Sequence, residues 1–175
     1  MSEPKWDLSR LSAGEKSALR RNVGVMKDFA SMQALEAFYR AKNQYCGSEK
    51  EKAWFASMCL ECLWREEKKL PKKSFPYLLR MLYQDKEVSK SLQNRCINLL
   101  DYDWTDDGFL LGKICNLIRL IRAKHGDYMP DFEMLAEDLS IWNKEGHYIR
   151  RKWLYIICSE QNESEKEEEE ETNAD

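Results

Sequence analysis

The sequence predicts an all-α protein, a helical bundle of about seven to eight helices or two stacked helical halves, on three observations. Only 7 Gly and 4 Pro punctuate 175 residues, too little turn chemistry for many short strands. Apolar residues recur at three- and four-residue intervals in segment after segment, the period of a helix packed on one face. No run alternates in the manner of a half-buried strand, so no sheet is expected. The composition, 43% hydrophobic and 34% charged, is that of a globular chain with a very polar surface.

Each element has its own signal. Ser12-Ala-Gly-Glu15 reads as a capping box that starts a helix through Arg21. Ser31 opens a second helix, running to about Asn43 with Leu35, Phe38 and Tyr39 on one side. Ser48-Glu-Lys-Glu51 repeats the capping-box pattern before a longer helix striped with Trp54, Phe55, Met58, Cys59, Cys62 and Leu63. Pro71-Lys-Lys-Ser-Phe-Pro76 is expected as a connector, because proline disfavours helical geometry in the residue before it. Beyond it, Leu78, Leu79 and Leu82 mark a short helix, and Val88, Leu92, Cys96, Leu99 and Leu100 another. Leu110, Ile114, Leu117, Ile118 and Ile121 give the strongest helical period, closed near Gly126. Pro130 is expected in the first turn of the next helix, with Phe132, Leu135, Leu139 and Trp142 facing inward. Glu145 to Cys158 completes the set, burying Ile149, Trp153 and Ile156 or Ile157. These elements divide the chain into an N-terminal half (1–70), a basic hinge loop (71–76), a C-terminal half (77–159) and a tail (160–175).

Charge is unevenly placed. The tail holds nine acids and one base, giving −8, while the remaining 22 acids and 27 bases give the body +5. A self-repelling tail without apolar anchors is expected to be disordered. A modestly basic body is compatible with a polyanionic partner. No apolar run approaches the ~18 residues of a membrane span, and the first residues, with Lys5, Asp7 and Arg10, hold no apolar signal segment. A cytoplasmic address is expected, with the 6 Cys reduced.

Catalytic patterns fail on their spacing or their scaffold. Cys59-Leu-Glu-Cys62 has the form of half a zinc or redox site, but no second Cys pair follows, and His125 and His147 lie far away in sequence. Both thiols also fit the apolar stripe, so core thiols are expected. Asp101-Tyr-Asp103-Trp-Thr105 has the wording of a phosphoryl-transfer motif, yet a helix precedes it where that chemistry needs a strand. As a calcium loop the same stretch places Asp106 where a Gly is required and Gly112 where a bidentate Glu is required. It is expected to be an interhelical loop, with Asp106 or Asp107 capping the following helix. No phosphate-binding loop, dinucleotide fingerprint or hydrolase elbow is present. Neither an enzyme nor a metal or cofactor site is expected.

What remains is clustered bases near aromatics: Arg20 and Arg21; Lys68, Lys69, Lys72 and Lys73; Arg119, Arg122 and Lys124; Arg150, Arg151 and Lys152. Separate clusters that converge in space can neutralise phosphates without reading bases. Asn94-Arg95-Cys-Ile-Asn-Leu99-Leu100, then Leu111 to Arg122, then Pro130-Asp131-Phe132 through Leu135, Asp138, Leu139 and Trp142, then Ile149-Arg150-Arg-Lys-Trp153 follow in a telling order. Upstream stand Leu19-Arg20-Arg21 and Ala37-Phe38-Tyr39-Arg40. In this order and spacing the chain, over about residues 8 to 158, resembles the CasB family, the small subunit of the type I-E CRISPR complex Cascade. One departure is Ser74-Phe-Pro-Tyr-Leu-Leu-Arg80, where the family tends to carry a Gly before the Arg.

The resemblance implies a non-catalytic subunit, present as two copies beside the large and backbone subunits of Cascade. These copies help hold guide RNA and target DNA and offer a basic surface to the displaced strand, in antiviral defence. Carried over by position, the nucleic-acid contacts are Arg20 and Arg21, Lys72 and Lys73, Arg95, Arg119 and Lys144, with Arg40, Arg80, Arg122 and Arg150 as weaker candidates. The alternative from another class is a helical adaptor that binds only protein, through exposed aromatics such as Trp6 or Trp104.

Overall fold

Among the described residues, short polar side chains cap half of the eight helices at their starts. The computed structural model describes residues 3–64 and 70–159, of which 65% are helical. Lys68, Lys69 and the acidic tail lie outside the described residues. In order come α1 (Ala13–Arg21), α2 (Met32–Ala41), α3 (Ser48–Leu63), α4 (Phe75–Gln84), α5 (Lys90–Asn98), α6 (Phe109–Lys124), α7 (Phe132–Ser140) and α8 (Tyr148–Cys158), with 3-10 turns at Leu8–Arg10, Lys27–Phe29 and Leu99–Asp101. The capping box at Ser12 forms in both directions. Ser31, Ser89 and Asp131 each accept from the third backbone N–H of their own helix.

The second capping box does not form. Gly47 occupies the cap position of α3 without a side-chain bond, because the Glu51 carboxylate turns inward. There it takes Lys42, Lys27 at 3.2 Å and the Tyr39 hydroxyl at 3.2 Å. Burial raises the pKa of Glu51, but the hydrogen bonds from the two lysines outweigh burial and hold it below the ordinary carboxylate value.

The expected absence of any sheet is also corrected. β1 (Lys72–Lys73) and β2 (Met129–Pro130) pair in parallel, two residues each. Pro130 has no N–H to give, so the ladder is carried by its neighbours: Met129 N–H donates to the Pro71 carbonyl at 3.0 Å and Asp131 N–H to the Lys73 carbonyl at 2.8 Å. Pro130 therefore stands outside α7, which Asp131 caps. The second proline, Pro76, lies in the first turn of α4, where its missing N–H costs nothing. The last helix starts later than Glu145 because Gly146 and His147 both take left-handed backbone, φ 79° and 47°.

α3 lies at the centre. Every residue from Ala53 to Leu60 is buried, so α3 needs cover on all sides, supplied by α7, α1 and the Lys27–Phe29 turn. α4 packs on α5 and α8. Between them Trp153 meets Trp142 edge-on at 4.9 Å and Phe75 at 5.4 Å. Both indole N–H groups are bonded, Trp142 to the Tyr102 carbonyl and Trp153 to Asp138.

Arg150 ties this end together. The side chain is buried, and its guanidinium donates to the Trp142 carbonyl at 3.3 Å, the Leu100 carbonyl at 3.5 Å, Asp103 at 2.5 Å and Asn143 at 3.2 Å. Arg150→Ala leaves two carbonyls unsatisfied and is expected to lower unfolding stability by about 2–3 kcal/mol. Asp103→Asn, at a solvent-exposed carboxylate, should lose much less. Denaturant unfolding of both variants checks the order.

Candidate nucleic-acid interface

The groove between α5 and α6 arises because each helix buries only part of its circumference. α5 is capped by Ser89 and buries Cys96, leaving Arg95 exposed. The cap position of α6 is the left-handed Gly108, not Asp106 or Asp107 as expected; Asp107, one residue earlier, accepts the Phe109 N–H at 2.9 Å. The helix then buries Leu110, Leu111, Ile114, Cys115, Leu117, Ile118 and Ile121. The residues left over face α5 across an open groove of about 730 Å³. Arg95 and Asn98 line it from one side, Lys113, Asn116 and Arg119 from the other, over an apolar floor that ends at Tyr102.

No carboxylate is among the described residues lining this groove, and none of its three cations makes an ion pair within the described residues. The Lys113 ammonium sits 4.5 Å from the Tyr102 ring centre and 4.8 Å from that of Phe109, which fixes its position without neutralising it. Three unneutralised cations and two side-chain amides over an apolar floor suit a phosphate chain better than a small apolar ligand.

Of the sequence-predicted contacts, only Arg95 and Arg119 share this groove. Arg20 lies in a second cleft, about 370 Å³, with Lys16, Glu61, Cys62 and Trp64, and donates to the Ser17 hydroxyl at 2.6 Å. Burial raises the pKa of Glu61 there, against the Trp6 hydrogen bond and the field of Lys72. Lys72 is exposed, and half-buried Lys73 lies over the rings of Tyr77 and Tyr128 at 5.1 and 5.7 Å. Arg21 is exposed at the end of α1. Lys144 lines a third cleft, about 640 Å³, in which Lys52 is already engaged by Asp106 at 3.0 Å.

The weaker candidates are engaged elsewhere. Arg40 pairs with Glu15 at 2.6 Å and Glu36 at 3.2 Å. Arg122 donates to the Leu63 carbonyl at 3.0 Å, with Trp64 beneath it. Arg80 is buried against Tyr77 at 4.6 Å, and Arg150 is the buried tie described above. The aromatics of the adaptor alternative are not free surface: Trp6 is buried and bonded to Glu61, and Trp104 is half-buried with its backbone held by Asn143. Lys113 was not singled out from sequence because it stands apart from other bases. The signal was available as the polar positions 113, 116 and 119 left over by the apolar stripe of α6.

This predominantly α-helical chain is matched over residues 15–155 by the family model described as CRISPR-associated protein Cse2, which defines a class of CRISPR effector subunits. The chain belongs to that family, Cse2 or CasB, the small subunit of the type I-E Cascade complex. The fold is similar to the crystal structure of M. ruber CasB, with a TM-score of 0.65 and 18% sequence identity over 95% of this chain and 92% of that one. Comparison with curated proteins finds no match.

The Cys59 and Cys62 pair lies in the core, as expected. Cys46, Cys59, Cys62, Cys96 and Cys115 are buried, and only Cys158 is exposed. Burial pushes the Cys62 thiol up to about 12 and those of Cys96 and Cys115 up to about 11. A thiol-specific reagent at pH 8 is therefore expected to modify one Cys quickly in the native chain, Cys158, and all six after unfolding. Mass spectrometry of the alkylated protein before and after denaturant checks this.

Proposed function

We propose that this chain is a non-catalytic Cascade subunit that stabilises the opened target duplex in antiviral defence, acting in the cytoplasm beside the large and backbone subunits and a second copy of itself. Its contribution is phosphate neutralisation along guide RNA, target strand and displaced strand, while base pairing supplies sequence recognition. The observation that carries this reading is the acid-free groove in which Arg95, Lys113 and Arg119 converge. Arg20 and Lys16, with Lys72 near enough to influence Glu61, form a second cationic stretch for the same backbone. Arg21, Lys73 and Lys144 are further contacts of the same kind.

The test is affinity for single-stranded DNA and for a guide–target duplex at two salt concentrations, together with target opening in the reassembled complex. Wild-type binding is expected to be nearly indifferent to sequence and to fall steeply with salt. Arg95→Glu with Arg119→Glu should weaken binding by tenfold or more and flatten the salt dependence, and Lys113→Glu should act in the same direction. Lys72→Glu with Lys73→Glu should weaken it as well. Folding should survive the reversals at Arg95 and Arg119, whose side chains are exposed. Deleting residues 160–175 removes −8 and should leave binding unchanged or stronger. Wild-type affinity in the Arg95, Lys113 and Arg119 reversals would refute the groove as a binding site.

A further inference from the structure

The outer face of α8 belongs to neither the groove nor the clefts. Ile149, Arg150, Trp153 and Ile157 turn inward, leaving Tyr148, Arg151, Lys152 and Tyr155 on the opposite side. Positions i, i+3, i+4 and i+7 fall along one face of a helix, and the two tyrosines lie about 10.5 Å apart along the axis, two turns. All four side chains are exposed, Tyr148 by 54% and Tyr155 by 76%. Within the described residues, neither tyrosine hydroxyl has a hydrogen-bond partner and neither cation is in an ion pair. From Tyr148 to Cys158 the helix carries three cations and no acid.

Two exposed aromatic rings with two cations between them match the chemistry of a single nucleic-acid strand: a flat face for a base at either end and a positive charge for the phosphates between. We infer that this face of α8 is a stacking platform for single-stranded nucleic acid. The platform rests on the reading that the chain meets nucleic acid, and extends it from phosphate neutralisation to contact with the bases. Because every base has a π-face, such a platform tolerates any sequence but requires that bases be present. The groove between α5 and α6 needs only the phosphates.

That difference supplies the experiment. The full-length chain is titrated at low salt with a labelled oligo-dT and with an abasic phosphodiester strand of equal length. Wild type should bind oligo-dT more tightly by about tenfold or more. Tyr148→Ala with Tyr155→Ala should erase that preference while keeping the abasic affinity, and Tyr148→Phe with Tyr155→Phe should restore it, since stacking uses the ring and not the hydroxyl. Equal affinity of wild type for the two strands overturns the platform, as does a preference that survives the double alanine variant. So does an alanine variant that keeps the preference but no longer enters the Cascade assembly, which would make the face a protein contact. Arg95→Glu with Arg119→Glu should lower both affinities and keep the preference. If that reversal changes neither affinity while the alanine pair removes the preference, the groove reading fails and the platform stands.

Discussion

The burial of α3 on every side is the constraint from which the rest of the architecture follows. A helix with an apolar stripe can be satisfied by one neighbour, but the unbroken buried stretch from Ala53 to Leu60 cannot, and it draws elements from distant parts of the sequence around it. α1 and the Lys27–Phe29 turn come from before it, and α7 from far beyond the basic connector. The same enclosure accounts for the buried charge at Glu51. Of the first turn of α3 only Glu51 is buried, and its carboxylate is held by Lys27, Lys42 and Tyr39 instead of closing a cap.

A centre that consumes apolar surface on all sides leaves the outer helices one-sided. α5, α6 and α8 each bury one face and present the other, and Arg95, Arg119, Arg151 and Lys152 stand on the exposed faces. Arg95, Lys113 and Arg119 converge because α5 and α6 both pack on α4 and leave a groove that polar residues of each line. Arg150 shows the opposite outcome for the same residue type. From the inward side of α8 its guanidinium satisfies two carbonyls and two side chains, so it works as a structural tie. Position on the helix, not the identity of the base, separates an exposed cation from a buried one.

This separation explains which parts were legible in the sequence. Helices are written locally, in caps such as Ser12, Ser31 and Ser89 and in stripes such as that of α6, and their existence and order could be read directly. The small parallel pair was hidden because its ladder joins Lys72 to Met129 and Lys73 to Pro130, partners that no local pattern relates. Pro130 looked like a helix start because a proline in the first turn and a proline just before the cap leave nearly the same local signature. The sites were less legible still. Arg119 and Lys113 lie six residues apart, but the third cation, Arg95, comes from another helix, and only packing brings the three together. Arg80 and Arg150 carry the same charge as Arg95, and nothing in their neighbours announces that their helices turn them inward.

The groove and the outer face of α8 are held in one frame by a helix that carries neither. α4 packs against both α5 and α8, with Phe75, Leu78, Leu79 and Leu82 fully buried and Phe75 seated on Trp153. Both cationic surfaces thus share an apolar support of the kind that interiors make rigid. A strand crossing from the groove to α8 would meet fixed charges at fixed separations, and chain flexibility would have to be supplied by the nucleic acid. Phosphate contacts position a strand without reading it, so a rigid frame carrying mostly such contacts serves any sequence equally. That property fits the proposed function, in which recognition is left to base pairing.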